Sequence, residues 1–115
     1  MLKKENRLSS NFEFNTTRKY GRYYSGKYFH IYFLIPKDYS GPTKVGVVVS
    51  NKFSKKATER NRVKRVFREV VRKNFDSINK GSLWIVIHPK FNSLEKGYEE
   101  ISTDFNKVLQ KESIS

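Results

Sequence analysis

The chain has 115 residues and a formal net charge of +13, from 24 Lys and Arg against 11 Asp and Glu. This length fits a single domain over residues 1–115, and the charge indicates a polyanionic partner, either nucleic acid or an anionic membrane surface. The absence of cysteine excludes disulfides, thiolate metal sites and thiol catalysis.

The first half of the chain predicts one short helix followed by two strands. Ser10 and Glu13 have the spacing of a capping box, so a helix should run from there to about Tyr20, with Gly21 at its C′ position. Strands are predicted where aromatic, β-branched and valine residues cluster, at Tyr28–Ile35 and Lys44–Ser50, on either side of turn residues 36–43. A β-hairpin is the simplest pairing of these two strands.

The second half predicts helix, strand and helix. The spacing of apolar residues indicates helices from about Thr58 to Asn74 and from about Gly97 to Lys111. A short apolar run between them indicates a strand at 83–88. The order α-β-β-α-β-α predicts an α+β sandwich with a small mixed sheet.

Alternation along the first predicted strand separates two faces. One face is apolar and should pack on the core: Phe29, Ile31, Phe33 and Ile35. The other face is amphipathic: Tyr28, His30, Tyr32 and Leu34. Tyr28 and Tyr32 could stack on single-stranded bases, or they could be ordinary strand tyrosines on a solvated face.

The long helix and the loop before it are the most charged part of the chain. Residues 52–73 hold ten Lys or Arg and two Glu, a net of +8. At about 100° per residue, Phe67 and the valines form a face that packs on the sheet, and the adjacent flank is a basic stripe made of Asn61, Lys64, Arg65, Arg68 and Arg72. Glu69 is the only carboxylate after the first turn, so the cations repel one another unless an external anion neutralises them. The alternative is a helix face that is merely solvated.

Further basic residues gather where this helix begins. Three lysines precede it: Lys52, Lys55 and Lys56. The amides of a helix N-terminus favour anions, and Arg60, Asn61 and Arg62 lie in the first turns. Asn61 can both donate and accept, so it can read a base edge or a 2′-hydroxyl. We therefore predict an anion-binding corner here.

No pattern in the sequence predicts a catalytic site carried by this chain. His30 and His88 lack Cys or carboxylate neighbours at ligand spacing, so a metal site is not expected, and no nucleophile triad or phosphate loop is present. Trp84 should pack in the core or at its rim. The longest apolar run, Tyr28 to Pro36, is too short for a bilayer, and the charged start differs from a secretory signal, so a cytoplasmic location without a membrane partner is expected.

The segment Ala57–Glu69 resembles the signature helix of bacterial ribonuclease P proteins. It contains Arg-Asn-Arg, an aliphatic residue, Lys-Arg, two apolar residues and Arg, in that order. Val45–Lys52 is similar to the strand before that helix, except at Asn51, and Asn6–Leu8 fits the family's N-terminal segment. The resemblance covers nearly the whole chain. It implies the family's fold, an α-β-β-α-β-α sandwich with a left-handed crossover, like the second domain of a small-subunit ribosomal protein.

The resemblance also implies a function. Family members are subunits of an endoribonuclease that trims the 5′ ends of precursor tRNAs, and its catalytic site, with Mg²⁺ ions, belongs to the RNA subunit. The implied partners are the catalytic RNA and the precursor's 5′ leader, with no required protein partner. The implied binding residues for the catalytic RNA are those that match the family's motif: Arg60, Asn61, Arg62, Lys64, Arg65 and Arg68. The charge pattern of the helix and its loop adds Lys52, Lys55, Lys56 and Arg72 to this set.

The same resemblance places the 5′ leader in a cleft between the sheet and the flanking helices. The resemblance gives Phe14 and Tyr32 as aromatic residues of this cleft, with Ser50 and Lys52 at its polar edge. Arg18 and Tyr28 are further candidates for leader binding. Arg18 stands where the family often has a second aromatic, so a phosphate contact would replace stacking there. His88-Pro89 stands where the family has Ala-Arg, so this chain has no arginine at that position to perform the family arginine's function.

Two other classes of protein fit the same size and charge. One is a structural RNA-binding protein such as a ribosomal component, and the other is a DNA-binding protein with a helix in the major groove. A preference for precursor over mature tRNA separates the first from a ribonuclease P subunit. Titration of duplex DNA against structured RNA tests the second.

Overall fold

The computed structural model describes residues 2–79 and 81–111. Within them the chain forms helices and strands in this order: α1 (Asn11–Tyr20), β1 (Arg22–Ser25), β2 (Phe29–Leu34), β3 (Lys44–Val47), α2 (Ala57–Lys73), α3 (Phe75–Ile78), β4 (Trp84–Pro89) and α4 (Tyr98–Lys111). Short 3₁₀ helices lie at Lys4–Asn6 and Phe91–Ser93. The predicted helices and strands are thus present, and β1 and α3 are additional.

The four strands form one mixed sheet in the order β1-β2-β4-β3. β2 is antiparallel to both β1 and β4, whereas β3 is parallel to β4 and is joined to it through α2. The α+β sandwich with a mixed sheet is therefore confirmed. The predicted hairpin of 28–35 with 44–50 is wrong, because β4 lies between these strands. The hairpin partner of β2 is β1, whose four residues are too few and too polar to show alternation.

Helices cover the two faces of the sheet unequally. α2 and α4 enclose the main core on one face, where Phe29 of β2 contacts Phe67 of α2 and Phe105 of α4, with ring centroids 6.0 and 5.8 Å apart. α1 packs on the other face, against β2 and β4. A smaller core forms there from Leu8, Trp84 and Val86. One sheet face is thus sealed, and the other is only partly covered.

Strand alternation is correct within β2 and fails at its ends. Phe29, Ile31 and Phe33 are buried in the main core as predicted. Ile35 is 77% exposed, so its predicted core position is wrong. β2 ends at Leu34, and the pleat that would turn Ile35 inward ends with it.

The capping box at the start of α1 is confirmed and extends into an ion pair. The Glu13 backbone N–H donates to Ser10 Oγ (3.1 Å), while Glu13 Oε1 accepts from the backbone N–H groups of Ser9 (3.0 Å) and Ser10 (3.1 Å). Glu13 Oε2 is 2.9 Å from Lys44 Nζ on β3. Burial acts to raise the pKa of Glu13, but these backbone bonds and Lys44 together lower it to about 2. This carboxylate therefore ties α1 to the sheet.

Gly21 ends α1 for a reason other than the one predicted. Its φ of −76° lies in the ordinary extended region, so it is not a left-handed C′ residue. A Cβ at this position would lie only 2.8 Å from the Phe33 carbonyl oxygen and would also overlap the Thr17 carbonyl. Glycine is needed because the backbone passes this close to β2.

α2 is amphipathic as predicted. Val63, Phe67, Val70 and Val71 are buried, and Val66 is half-buried against the same core. The apolar face packs on α4 as well as on the sheet, because α4 lies beside α2 on the same sheet face. The charged flank remains at the surface.

Candidate RNA interface

The loop before α2 is fastened to the first turn of the helix. Arg60 Nη1 donates to the Ser54 carbonyl (2.8 Å), and the Lys56 backbone N–H donates to Ser54 Oγ (3.1 Å). The three lysines predicted for this corner are exposed: Lys52, Lys55 and Lys56. The basic residues predicted for this corner therefore lie at the surface, where Arg60 fastens the loop to the helix. Anion binding at this corner stays a prediction.

The stripe of α2, made of Asn61, Lys64, Arg65, Arg68 and Arg72, lies at the surface. Asn61, Arg65, Arg68 and Arg72 are exposed and Lys64 is half-buried. Within residues 2–79 and 81–110, no carboxylate lies within 4 Å of Lys64, Arg65 or Arg68. These three cations are therefore available to an external anion.

The prediction of unbalanced charge is wrong at the C-terminal end of the stripe. Glu69 receives hydrogen bonds from Arg72 and lies 3.8 Å from Lys73 Nζ. The bond from Arg72 lowers the pKa of Glu69. Because Arg72 is three residues after Glu69, the two side chains meet on one helix face. Arg62 points away from the stripe as expected, since its Nε donates to the Leu94 carbonyl (3.1 Å).

A second surface lies on the partly covered sheet face. Tyr32 is half-buried and its ring touches Tyr23 of β1 (5.2 Å between centroids) and His88 of β4 (5.9 Å). Tyr23 also stacks on His30 (5.5 Å), and its hydroxyl is hydrogen-bonded to His30 Nδ1. We call Tyr23, His30, Tyr32 and His88 the aromatic sheet surface. Tyr23, which is 49% exposed, was missed because β1 was missed.

Arg18 reaches this surface from α1. Its Nη1 lies 3.4 Å from His88 Nε2, and its Nη2 donates to Asn15 Oδ1 (2.8 Å). Burial lowers the pKa of His88, and the charge of Arg18 and then that of His30 lower it further. Burial and Lys90 likewise lower the pKa of His30. The two positions that depart from the family pattern, Arg18 and His88, are thus in contact, and burial together with the charge of Arg18 favours the neutral form of His88.

The depressed pKa of His88 predicts a loss of stability in mild acid. An unfolded histidine takes up a proton near pH 6.5, so the unfolded state binds more protons as the pH falls below that value, and the free energy of unfolding should fall. His88→Gln keeps a neutral hydrogen-bonding group and should flatten this dependence between pH 7.5 and 5.5. Urea unfolding of both proteins measures the free energy of unfolding at each pH. Parallel pH profiles would show that His88 is not the cause of the dependence.

The remaining leader candidates fall in different places. Phe14 is half-buried against the smaller core, and a Cβ at Gly46 of β3 would overlap its ring. Ser50 is exposed at the turn after β3, where its Oγ accepts from the Lys52 N–H (3.2 Å). Binding of the 5′ leader by these two residues stays a prediction.

Tyr28 does not share a surface with Tyr32, so the expectation for this residue is corrected. It is 8% exposed and packs in the main core. Its backbone N–H donates to Asp104 Oδ2 of α4 (2.9 Å). Tyr28 precedes the first residue of β2, so strand alternation does not extend to it.

Trp84, expected in the core or at its rim, is 8% exposed and packs against Tyr39 and the edge of Phe12.

In the part of the chain that the structure describes, no three His, Cys, Asp or Glu side chains come together as metal ligands. The placement of Mg²⁺ in an RNA subunit stays a prediction. None of the described helices combines the length and apolar character needed to cross a membrane.

Comparison with known proteins identifies similar chains over almost the full length. The sequence model of the Ribonuclease P family matches residues 2–113. The ribonuclease P protein component of Finegoldia magna is 36% identical over 112 residues, which are 97% of this chain and 95% of that protein. That of Fusobacterium nucleatum is 37% identical over 95% of this chain and 98% of its own length.

Solved structures of similar proteins superpose on this chain over almost its full length. The RNase P protein from Thermotoga maritima superposes with a TM-score of 0.73 at 32% identity, covering 91% of this chain and 96% of that one. The RNase P protein of Staphylococcus aureus superposes with a TM-score of 0.79 over 96% of this chain and 98% of that one. Its identity is 22%, so it supports the fold alone.

Proposed function

Because the chain belongs to the ribonuclease P protein family, we propose that it binds the ribonuclease P RNA through α2 and the 5′ leader of precursor tRNA through the aromatic sheet surface. Family membership shows the general role of the chain, which is that of a protein component acting in tRNA processing. The observation that carries the proposal is that Lys64, Arg65 and Arg68 have no carboxylate partner among residues 2–79 and 81–110.

Unneutralised cations on one helix flank suit an RNA backbone. Each guanidinium offers a planar fork of donors that matches phosphate oxygens. α2 is held on its opposite face by the buried Phe67 and Val70, so binding does not require the helix to form first. The exposed Lys52, Lys55 and Lys56 extend the same positive surface around the helix N-terminus.

The aromatic sheet surface suits a single strand. Tyr23 is exposed and Tyr32 is half-buried, so bases can stack on the parts of these rings that remain accessible, with no sequence requirement. Arg18, next to His88, adds a charge at the edge of these rings, so the leader phosphates can follow α1 while the bases lie on the sheet. Arg18 therefore supplies a phosphate contact at a position where the family often stacks a base.

Catalysis in this account belongs to the RNA subunit, together with its Mg²⁺ ions. The protein contributes by neutralising phosphates that metal ions otherwise screen. Adding the chain to its cognate RNA should therefore lower the Mg²⁺ concentration needed to cleave precursor tRNA, and the chain alone should not cleave. If cleavage at low Mg²⁺ is the same with and without the protein, the proposal fails.

Tyr32→Ala should reduce the preference of the holoenzyme for a precursor with a leader over mature tRNA by about tenfold, since one base–aromatic stack contributes about 1–3 kcal/mol. Affinity for the RNA subunit should be nearly unchanged. Tyr20→Ala, which removes an exposed tyrosine at the end of α1, is the matched control. Equilibrium binding of both tRNA forms measures the effect, and equal losses in the two variants would argue against a leader site on the sheet.

A further inference from the structure

The N-terminal segment is fixed along the free edge of β3. The Leu8 backbone N–H donates to the Val45 carbonyl (3.1 Å), and Arg7 forms an isolated parallel bridge with Val45. Asn6 Nδ2 donates to the Thr43 carbonyl (2.9 Å). These contacts fix the backbone of Arg7 along the edge of β3.

Arg7 and Arg68 of α2 both line a cavity of about 220 Å³. The walls of this cavity are mainly apolar and include Leu8, Phe14 and Val71. An apolar cavity of about 150 Å³ in another protein holds a benzene ring, so this one has room for a planar ring. Phe14 reaches it from α1, the same helix that carries Arg18.

The same two arginines also line an open groove of about 900 Å³ outside the cavity. Lys3 and Lys4 add positive charge, and Glu5 adds one negative charge. Lys44, a further lining residue, is already paired with Glu13. No described carboxylate lies within 4 Å of Arg7 or Arg68, so the groove keeps a net positive charge.

We infer that Arg7 and Arg68 bind the phosphate of one nucleotide of single-stranded RNA whose base enters the apolar cavity beside Phe14. Two exposed guanidiniums match a phosphate group, and an apolar pocket with an aromatic wall matches a base. The site lies between the stripe of α2 and the α1 side of the sheet, so it connects the two proposed RNA surfaces. It rests on the proposed function and adds a nucleotide site to it.

Arg7→Ala tests the phosphate contact in the reconstituted holoenzyme, with Arg22→Ala as the control. Arg22 is exposed on β1, at the opposite edge of the sheet, and its loss changes the net charge by the same amount. Two affinities are measured for each protein: that for the RNA subunit, and that for precursor tRNA carrying a long or a one-nucleotide leader. Arg7→Ala should lower one of them about tenfold, while Arg22→Ala changes neither.

Which of the two affinities decreases identifies the RNA that supplies the nucleotide. A loss of affinity for the RNA subunit assigns it to the ribozyme, and a loss seen only with the long leader assigns it to the substrate. If both affinities stay within twofold of the unmodified protein, or if Arg22→Ala has the same effect, the inference is overturned. The proposed function is judged separately, by whether the unmodified protein lowers the Mg²⁺ requirement.

The position of the base is tested separately, by photocrosslinking. RNA subunit and leader are each substituted with 4-thiouridine and irradiated in the holoenzyme, and the crosslinked peptides are mapped. Crosslinks to the segment that contains Leu8 and Phe14 support insertion of a base. Crosslinks confined to α2 would show that only the phosphate is bound and would overturn the base pocket.

Discussion

Replacing Arg65 and Arg68 together by Ala should weaken binding of the ribonuclease P RNA by about 100-fold or more. A hydrogen bond to a charged group contributes about 1.5–3 kcal/mol, and 1.4 kcal/mol is a factor of ten in affinity. Both side chains are exposed and have no carboxylate partner among residues 2–79 and 81–110. Their loss should therefore leave folding intact, and thermal unfolding verifies this.

The matched control for this variant is Arg22→Ala with Lys107→Ala. It removes two exposed cations from β1 and α4, away from the stripe of α2. Filter binding of labelled RNA at fixed salt compares the two double variants. A comparable loss in the control would mean that net charge, rather than the position of the arginines on α2, determines affinity.

Glu13→Ala should lower the free energy of unfolding by about 3 kcal/mol at neutral pH. The folded-state pKa of about 2 lies below the ordinary value of 4.5, and this difference converts to roughly 3 kcal/mol. The stabilisation is present above pH 4.5 and is lost as the pH falls from there towards 2. The alanine variant also leaves Lys44 and two backbone N–H groups without their acceptor.

Glu95→Ala is the control for Glu13, because Glu95 is exposed and has no ion pair among the described residues. Urea unfolding at pH 7 should separate the two variants by about 3 kcal/mol, and at pH 2.5 the difference should be much smaller. An unchanged difference at pH 2.5 would show that the carboxylate charge is not the cause. Glu13→Ala should also weaken leader recognition, since Glu13 fixes the helix that carries Phe14 and Arg18.

Local patterns in the sequence were sufficient to predict much of the fold. The capping box of Ser10 and Glu13, the alternation within β2 and the apolar face of α2 each depend on residues close in sequence. Strand pairing was not predictable in this way, because β4 enters the sheet between β2 and β3 from about 40 residues further along the chain. β1 was missed because Arg22–Ser25 has no apolar alternation.

The candidate site shows the same division. The stripe of α2 follows from helical periodicity, and among the described residues only its last member, Arg72, has a carboxylate partner. The aromatic sheet surface depends on strand order, so Tyr23 could not be placed beside Tyr32 without β1. The contact of Arg18 with His88 joins residues 70 positions apart, and neither residue alone indicated it. Tyr28 was misplaced because alternation was extended past the start of β2.

The central claim, that Arg65 and Arg68 neutralise RNA phosphates, is tested most directly by the salt dependence of binding to the RNA subunit. If α2 and its loop contact about six phosphates, a plot of log affinity against log salt should have a slope near −5. The Arg65→Ala/Arg68→Ala variant should have a slope shallower by about 1.8, since each phosphate contact contributes about 0.9. A weaker affinity with an unchanged slope would contradict the account, because the two arginines would then not be meeting phosphates.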